Sequence, residues 1–336
     1  MLLDSQALEV QTELERIGVI PKDSEIELYN QIHGGADTTI FEIGFKNHST
    51  RYVQRIFRPS TGIESSEFEY TIQKTMFENG LNVPETFLIK HPPNAWDRTY
   101  FIMKKIEGRG INDILENNPE KFEEIAERFM LELHKIHSIN PDLFPQIPRA
   151  DIQKDPFAVI TKTLRRAKAT IEKFHEELAE LRLVVDWLEE NKSNNPCEEL
   201  VVIHSDYHPF NIIVEEDGTF QILDWTGINI SDYRRDLGFS IIAISAGVGI
   251  DQVPKFQKIY EKISGKKVEN LEYFMVLASV YNLMRFYSGM NNPSITNETE
   301  DTMAFFKSIS DYPLFVVELV KRECGIDLKQ IKNYFG

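Results

Sequence analysis

The sequence predicts an α+β protein built as two lobes. Its 336 residues are enough for two hydrophobic cores. Up to residue 103 the chain carries apolar runs typical of strands, and beyond that point apolar residues recur mainly at helical spacing. We therefore expect an N-terminal lobe over residues 1–103, a hinge over 104–108 and a C-terminal, mainly helical lobe over 109–336.

The N-terminal lobe is predicted to hold a five-stranded antiparallel sheet and helices. Three strand patterns, IELYNQI, TTIFEIGF and RYVQRIF, lie between residues 26 and 57, and two more lie at 85–89 and 100–103. Between them, SSEFEYTIQKTMFENG has apolar residues at helical spacing and ends at Gly80, a residue type that commonly stops a helix. Residues 1–20 are predicted to form a further helix.

The C-terminal lobe is predicted to be helical apart from one hairpin. One helix buries a face whose apolar residues recur at helical spacing: Phe122, Ile125, Ala126, Phe129, Leu133 and Ile136. His134 and His137 on this helix are interpreted as core or surface histidines, since no third metal ligand lies near them. Further helices are expected over 151–193 and 236–290.

The composition is that of a globular protein with an acidic balance. A formal charge of −16 argues against a nucleic-acid partner, whose phosphates require a basic face. The charge is compatible with a cationic small-molecule substrate, although carboxylates such as those between residues 116 and 127 are expected to lie on the solvated face of a helix. The longest apolar run, over 241–250, is too short for a membrane span, which needs about 20 residues.

The sequence favours a cytoplasmic location. The N-terminal stretch is acidic and amphipathic, unlike a secretory signal. Cys197 and Cys324 have no metal-ligand spacing and indicate no disulfide framework.

The segment over 201–236 carries a pattern that predicts chemistry. Asp206 is followed five residues later by Asn211, and Asp224 follows across a predicted hairpin whose turn contains Gly218. Because a hairpin brings its ends together, Asn211 and Asp224 are expected to lie side by side as oxygen donors for Mg²⁺. Asp206, one loop away, could accept the proton of a substrate hydroxyl.

Two other interpretations of this segment were weighed. An Asp and an Asn five residues apart are common by chance, and both are ordinary turn residues. A serine-hydrolase site at His204, Ser205 and Asp206 fails on geometry, because neighbouring side chains on an extended segment point to opposite faces and no nucleophile elbow surrounds the serine.

The segment resembles the catalytic core of the aminoglycoside phosphotransferase and choline kinase-like family, which has a protein-kinase-like fold. The family pattern reads roughly H-G-D-x-H-x-x-N, then a hairpin, I-D-W and D-L. The residues at the matching places are His204, Asp206, His208, Asn211, Asp224, Trp225, Asp236 and Leu237. Ser205 occupies the usual glycine, and a modest effect is expected from this departure.

The resemblance implies a kinase that uses ATP and Mg²⁺ to phosphorylate a hydroxyl of a small molecule, which would be aminoglycoside-, amino alcohol- or sugar-like. In this scheme Asp206 is the catalytic base, and Asn211 and Asp224 bind the metal. The choice between ATP and GTP, the identity of the acceptor and the oligomeric state are left open by the sequence. The resemblance also implies that the helices over 151–193 and 236–290 build the acceptor site.

The resemblance assigns nucleotide-binding roles in the N-terminal lobe. Gly34 and Gly35 fall in the loop that covers the nucleotide, although a plain hairpin turn would explain a glycine pair equally well. Arg55 stands where the family carries a phosphate-binding lysine. Glu69 matches the helix glutamate that orients this cation, with Glu67 as the competing candidate.

The segment FIMKKIEG, which ends the last predicted strand and contains the predicted hinge over 104–108, supplies the remaining nucleotide contacts. The backbone of Lys104 and Ile106 is expected to hydrogen-bond a purine, and Met103 is expected to pack against it.

The competing function is a pseudokinase that binds nucleotide without turnover, suggested only by Arg55 and Ser205. The presence of Asp206, Asn211 and Asp224 together argues against it. A protein-kinase activity is disfavoured because the chain has no A-P-E activation segment.

Overall fold

The computed structural model describes residues 5–32, 38–174, 178–291, 307 and 309–336. Its contacts divide the chain into two units. The first comprises Met1–Arg109 and Ile212–Thr226, and the second comprises Gly110–Asn211 and Gly227–Gly336. The α+β class predicted from the sequence is confirmed by this architecture.

The first unit is a sheet with two helices. Its elements in chain order are α1 (Ser5–Arg16), β1 (Ile26–Ile32), β2 (Thr38–Phe45), β3 (Tyr52–Phe57), α2 (Ile63–Glu78), β4 (Thr86–Lys90) and β5 (Tyr100–Lys104). The five strands form the antiparallel sheet that the sequence predicted, and the structure gives their order as β1-β2-β3-β5-β4.

Helix α1 is fixed to the sheet by apolar packing and by a half-buried acid. Val10 and Leu14 join a core cluster that includes Ile43 and Tyr100 from the sheet. Glu9 accepts a hydrogen bond of 2.6 Å from the Tyr100 hydroxyl. Burial, together with this carboxylate, raises the pKa of Tyr100, so the phenol stays a donor.

The predicted catalytic hairpin is present, with β8 (Ile212–Val214) paired to β9 (Phe220–Ile222) in the register Ile212↔Ile222. Gly218 in its turn has a φ of 84°, the conformation for which glycine was expected. The two-residue strand β6 (Arg109–Gly110) lies beside β8.

The hairpin groups with the first unit, whereas the sequence assigned it to the C-terminal lobe. Two backbone contacts explain the difference. The Ile222 N–H donates to the Asn82 carbonyl at 2.8 Å. Gly108 lies so close to β8 that a Cβ there would be 2.4 Å from the Val214 carbonyl oxygen. Contacts of this kind cannot be predicted from the spacing of residues in a sequence.

The second unit is mainly helical, as predicted. Its helices are α3 (Ile111–Asn117), α4 (Phe122–His137), α5 (Ala158–Lys173), α6 (Leu181–Asn191), α7 (Tyr233–Val248), α8 (Val253–Ser264), α9 (Leu271–Asn291), α10 (Tyr312–Cys324) and α11 (Lys329–Phe335). Two short strands, β7 (Val201–Ile203) and β10 (Asn229–Ser231), pair antiparallel. The apolar stripe predicted on α4 is buried from Ile125 to Ile136. Across the described ranges, every helix is too short or too polar to cross a membrane.

Candidate active site

The loop that carries Asp206 runs from the end of β7 to a short turn of helix at Pro209–Asn211. A single carboxylate, that of Asp236 in the first turn of α7, holds its start. Asp236 Oδ2 accepts the His204 N–H and Oδ1 accepts the Ser205 N–H, each at 2.8 Å. Since Asp236 is only 1% exposed, these bonds are shielded from water and fix the loop backbone.

His137 completes this anchor. Its Nε2 lies 3.3 Å from Asp236 Oδ2 and its Nδ1 lies 2.7 Å from the Tyr260 hydroxyl. Burial alone would raise the pKa of Asp236, but the hydrogen bond and charge of His137 outweigh it and lower that pKa. The sequence placed His137 among core or surface histidines. Its role was missed because its partner lies 99 residues away along the chain.

Ser205 adopts a φ of 69°, in the left-handed region that favours glycine. This backbone conformation gives a physical reason for the glycine in the family pattern. The strain of a side chain there is about 1–2 kcal/mol, consistent with the modest effect expected from the sequence.

Asp206 is held as an ionised carboxylate. Its side chain is 17% exposed, and its Oδ1 accepts a hydrogen bond of 2.9 Å from Arg285 Nη1. Burial would raise the pKa of Asp206, but the hydrogen bond from His208 and the charge of Arg285 lower it well below the usual range. Arg285 lies on α9, and nothing in the sequence pattern pointed to it.

Asn211 is oriented by the same loop. Its Nδ2 donates to the Asp206 carbonyl at 3.0 Å. The bond uses the amide nitrogen, so the amide oxygen is the atom that suits a cation.

Asp224 follows β9 and belongs to the first unit, whereas Asp206 and Asn211 belong to the second. It adopts a φ of 60°, and its Oδ1 accepts a hydrogen bond of 2.7 Å from Thr226 Oγ1. A carboxylate and an amide oxygen are the donor types that Mg²⁺ takes when it also binds nucleotide phosphates, so the two predicted metal ligands fit the ion chemically. Within the described ranges no cluster of three or more His, Cys, Asp or Glu side chains forms an all-protein metal site.

The predicted pairing of Arg55 with Glu69 is confirmed. The guanidinium on β3 contacts the carboxylate on α2, and the two side chains are 12% and 6% exposed. The competitor Glu67 is instead half-exposed and pairs with His91 at 3.0 Å. The buried pair is therefore the one that can hold the cation in a fixed direction.

The residues predicted to contact the purine differ in whether their backbone N–H group is still available to a ligand. The Lys104 N–H donates to the Glu85 carbonyl at 2.8 Å and is thus already used inside the first unit. The Ile106 N–H makes no hydrogen bond among the residues that the structure describes, so it is the open donor of the two. The Met103 sulfur accepts a hydrogen bond of 3.4 Å from Gln73. Gly34 and Gly35 lie outside the described residues.

A cavity of about 760 Å³ opens beside Asp206 in the second unit. Its walls come from the catalytic loop, from Phe122 at the start of α4, and from α3, α7, α9 and α10. The region 236–290, predicted to build an acceptor site, contributes to this wall, whereas α5 and α6 contribute no lining residue. The parts played by α3 and α10 had no sequence signal.

The five-stranded sheet with its buried Arg–Glu pair, and the helical unit with its anchored Asp206 loop, define the class as a kinase-like fold. A model of the phosphotransferase enzyme family, APH, matches residues 29–270, and the chain belongs to this family.

Solved structures with the same fold span nearly the whole chain. A proposed aminoglycoside phosphotransferase from Ralstonia eutropha JMP134 aligns with a TM-score of 0.72 at 14% identity and covers 95% of this chain and 98% of that one. Spectinomycin phosphotransferase, solved with ADP and spectinomycin, aligns with a TM-score of 0.61 at 14% identity over 94% and 98%. An ethanolamine kinase of Plasmodium vivax aligns with a TM-score of 0.57 at 13% identity over 91% and 83%.

Curated relatives include acyl-CoA dehydrogenase family member 11 of Homo sapiens, 22% identical over 290 residues, and that of Pongo abelii, 23% identical over 291. Each match covers 78% of this chain but 36% of the relative. The chain thus spans about a third of the length of these relatives.

Proposed function

We propose that the protein transfers the γ-phosphoryl group of ATP to a hydroxyl of a small molecule, with Mg²⁺ as cofactor. One observation carries the proposal: an ionised Asp206, in a loop whose start is held by Asp236, stands on the wall of a cavity large enough for a small molecule. Spectinomycin phosphotransferase, a protein of the same fold, binds a nucleotide and a small-molecule acceptor, which supports the assignment.

In the proposed reaction, Asp206 orients the acceptor hydroxyl and accepts its proton. The acceptor oxygen forms a bond to the γ-phosphorus while the bond to the bridging oxygen breaks, and ADP leaves. Because its pKa is low, Asp206 is a weak base, so it takes the proton late, as charge moves away from the attacking oxygen. Its larger contribution is positioning.

The other predicted residues serve the nucleotide. Asn211 and Asp224 would hold Mg²⁺, which when bound neutralises phosphate charge. Arg55, held by Glu69, would contact the α- and β-phosphates. Gly34 and Gly35 would cover them. The purine would hydrogen-bond to the Ile106 N–H and to the Lys104 backbone, and it would pack against Met103.

Two observations argue against the pseudokinase alternative. Arg55 has the buried Glu69 partner that an active arrangement requires. Ser205 adopts a left-handed backbone conformation, which glycine also reaches readily, and donates its N–H to Asp236. Turnover is therefore the favoured function.

A screen of ADP release with ATP and Mg²⁺ tests the proposal, using aminoglycosides, amino alcohols, sugars, nucleosides and simple alcohols, with the phosphorylated product identified by mass spectrometry. The Asp206→Asn variant is the control, and we expect its rate to fall by about 10²- to 10⁴-fold. GTP is run beside ATP. Acceptor-dependent ADP release that survives in the Asn variant would contradict the role of Asp206.

A further inference from the structure

We propose that the cavity beside Asp206 is an acceptor site for hydroxyl compounds with an apolar body, rather than for polycationic sugars. The proposal rests on the phosphotransferase function above and names its substrate class.

The walls of the cavity carry the inference. Aromatic side chains approach it from five parts of the second unit: α4 (Phe122), the catalytic loop (Phe210), α7 (Phe239), α9 (Phe286) and α10 (Tyr312 and Phe315). Aliphatic residues of α3 and α7 lie between them. Such a lining gains free energy by removing apolar ligand surface from water, and it gives few partners to ligand hydroxyls or ammonium groups.

The wall of the cavity carries few charged side chains, and each of them is already in an ion pair or exposed to solvent. Arg285 is the one Lys or Arg among the described lining residues, and it is bonded to Asp206. The carboxylates of Glu116 and Asp311 belong to exposed residues. The remaining carboxylate on the described wall, that of Asp206, is largely buried but already paired with Arg285. An aminoglycoside carries several ammonium groups, and most of them would lose their hydration against this lining without gaining a buried carboxylate of their own.

Phe210 indicates where the apolar body would lie. It is one residue from Asn211 and two from His208, and it is 52% exposed although it lines the cavity. Its ring stands 6.0 Å from that of His208. A ligand whose hydroxyl reaches Asp206 would cover this ring, which removes apolar surface from water on both partners.

Binding is tested on the full-length protein without nucleotide, using the neutral fluorescent probe N-phenyl-1-naphthylamine. We expect saturable binding, displaced by 4-phenyl-1-butanol and not by kanamycin. Phe210→Ala should lower the affinity for the probe about tenfold, because an apolar contact is lost. Ala246→Phe, which fills the cavity from the half-buried face of α7, should abolish binding while the thermal midpoint confirms folding. Tyr281→Ala is the matched control, since Tyr281 is 48% exposed on α9 and does not line the cavity.

Turnover separates this inference from the function on which it rests. If ADP release is saturated by kanamycin and unaffected by Phe210→Ala, the apolar class is wrong while the phosphotransferase stands. If the probe binds and responds to both cavity variants but no hydroxyl compound stimulates ADP release, the apolar site stands and the phosphotransferase fails. Absence of saturable probe binding, or equal binding in Phe210→Ala and Tyr281→Ala, overturns the proposal.

Discussion

At the scale of single residues, the chemistry of the site depends on neighbours that set charge and backbone conformation. Asp206 is ionised because Arg285 and His208 outweigh the effect of its burial. The Ser205 N–H donates a hydrogen bond to Asp236, and the Ser205 backbone adopts the strained left-handed conformation. Each effect can be altered by one substitution.

Replacing Arg285 with Gln should shift the acid limb of activity to higher pH. The pKa of Asp206 is depressed, and activity requires its carboxylate, so the wild-type limb lies below the ordinary aspartate range. Removing the guanidinium raises that pKa and moves the limb upward. The pH profile of kcat/KM for the acceptor measures this shift, and Arg285→Lys, which keeps the charge, should move the limb less. An identical acid limb in Arg285→Gln would show that the pairing does not control Asp206.

Ser205→Gly should stabilise the fold by about 0.5–1 kcal/mol. Relief of roughly 1–2 kcal/mol of left-handed strain is partly offset by the greater freedom of glycine in the unfolded chain. Urea unfolding midpoints measure the gain. Ser138→Gly is the control, because Ser138 has a φ of −91° and carries no such strain. A loss of stability in both variants would refute the strain assignment.

At the scale of elements, two buried contacts join pieces of chain that are distant in sequence. The pair of Arg55 and Glu69 joins β3 to α2. Asp236, supported by His137 of α4, joins α7 to the loop after β7. In each case, a carboxylate fixes a group that the proposed chemistry uses.

Arg55 and Glu69 should behave as one unit in nucleotide use. Arg55→Ala is expected to raise the ATP KM and lower kcat. Arg55→Lys should keep part of the activity, because it keeps the charge but cannot make the bidentate contact. Glu69→Gln should cause a milder defect, and adding it to Arg55→Ala should change little. Glu67→Gln is the control, since Glu67 pairs with His91. Additive free-energy losses in the double variant would mean that Glu69 does not position Arg55.

Asp236→Asn should destabilise the protein by about 1–3 kcal/mol at neutral pH, because an amide can accept at only one of the two positions that now receive backbone N–H groups. The folded-state pKa of Asp236 is depressed, so its contribution is present above the unfolded value of about 3.9 and is lost as pH falls from there through the folded value. Urea unfolding across this range should show the two proteins converging. A difference that persists unchanged in acid would assign the loss to packing alone.

At the scale of the whole molecule, the two proposed metal ligands flank the catalytic hairpin along the chain, with Asn211 directly before β8 and Asp224 two residues after β9. We expect both side chains to contribute to nucleotide binding when Mg²⁺ is present.

Asp224→Ala is expected to abolish Mg²⁺-dependent ATP binding, and Asn211→Ala to weaken it, since a carboxylate offsets more of the ion's charge than an amide does. Titration calorimetry with and without Mg²⁺ measures the difference. Asp217→Ala, at an exposed turn position of the same hairpin, is the control. Equal affinities in all four proteins would refute the metal assignment.

The sequence by itself determined the α+β class, the five-stranded sheet, the catalytic hairpin and the preference for Glu69 over Glu67. The class, the sheet and the hairpin follow from periodicity and short spacings, because side-chain direction in strands and helices repeats along the chain. The preference for Glu69 follows from the resemblance to the family.

Only the tertiary structure decided the surroundings of Asp206. His137 contacts Asp236 across 99 residues, Arg285 contacts Asp206 across 79, and the cavity wall brings together residues of α3, α4, α7, α9 and α10. No local pattern encodes such meetings, because a residue's partners across the core depend on how whole elements pack rather than on its neighbours in sequence.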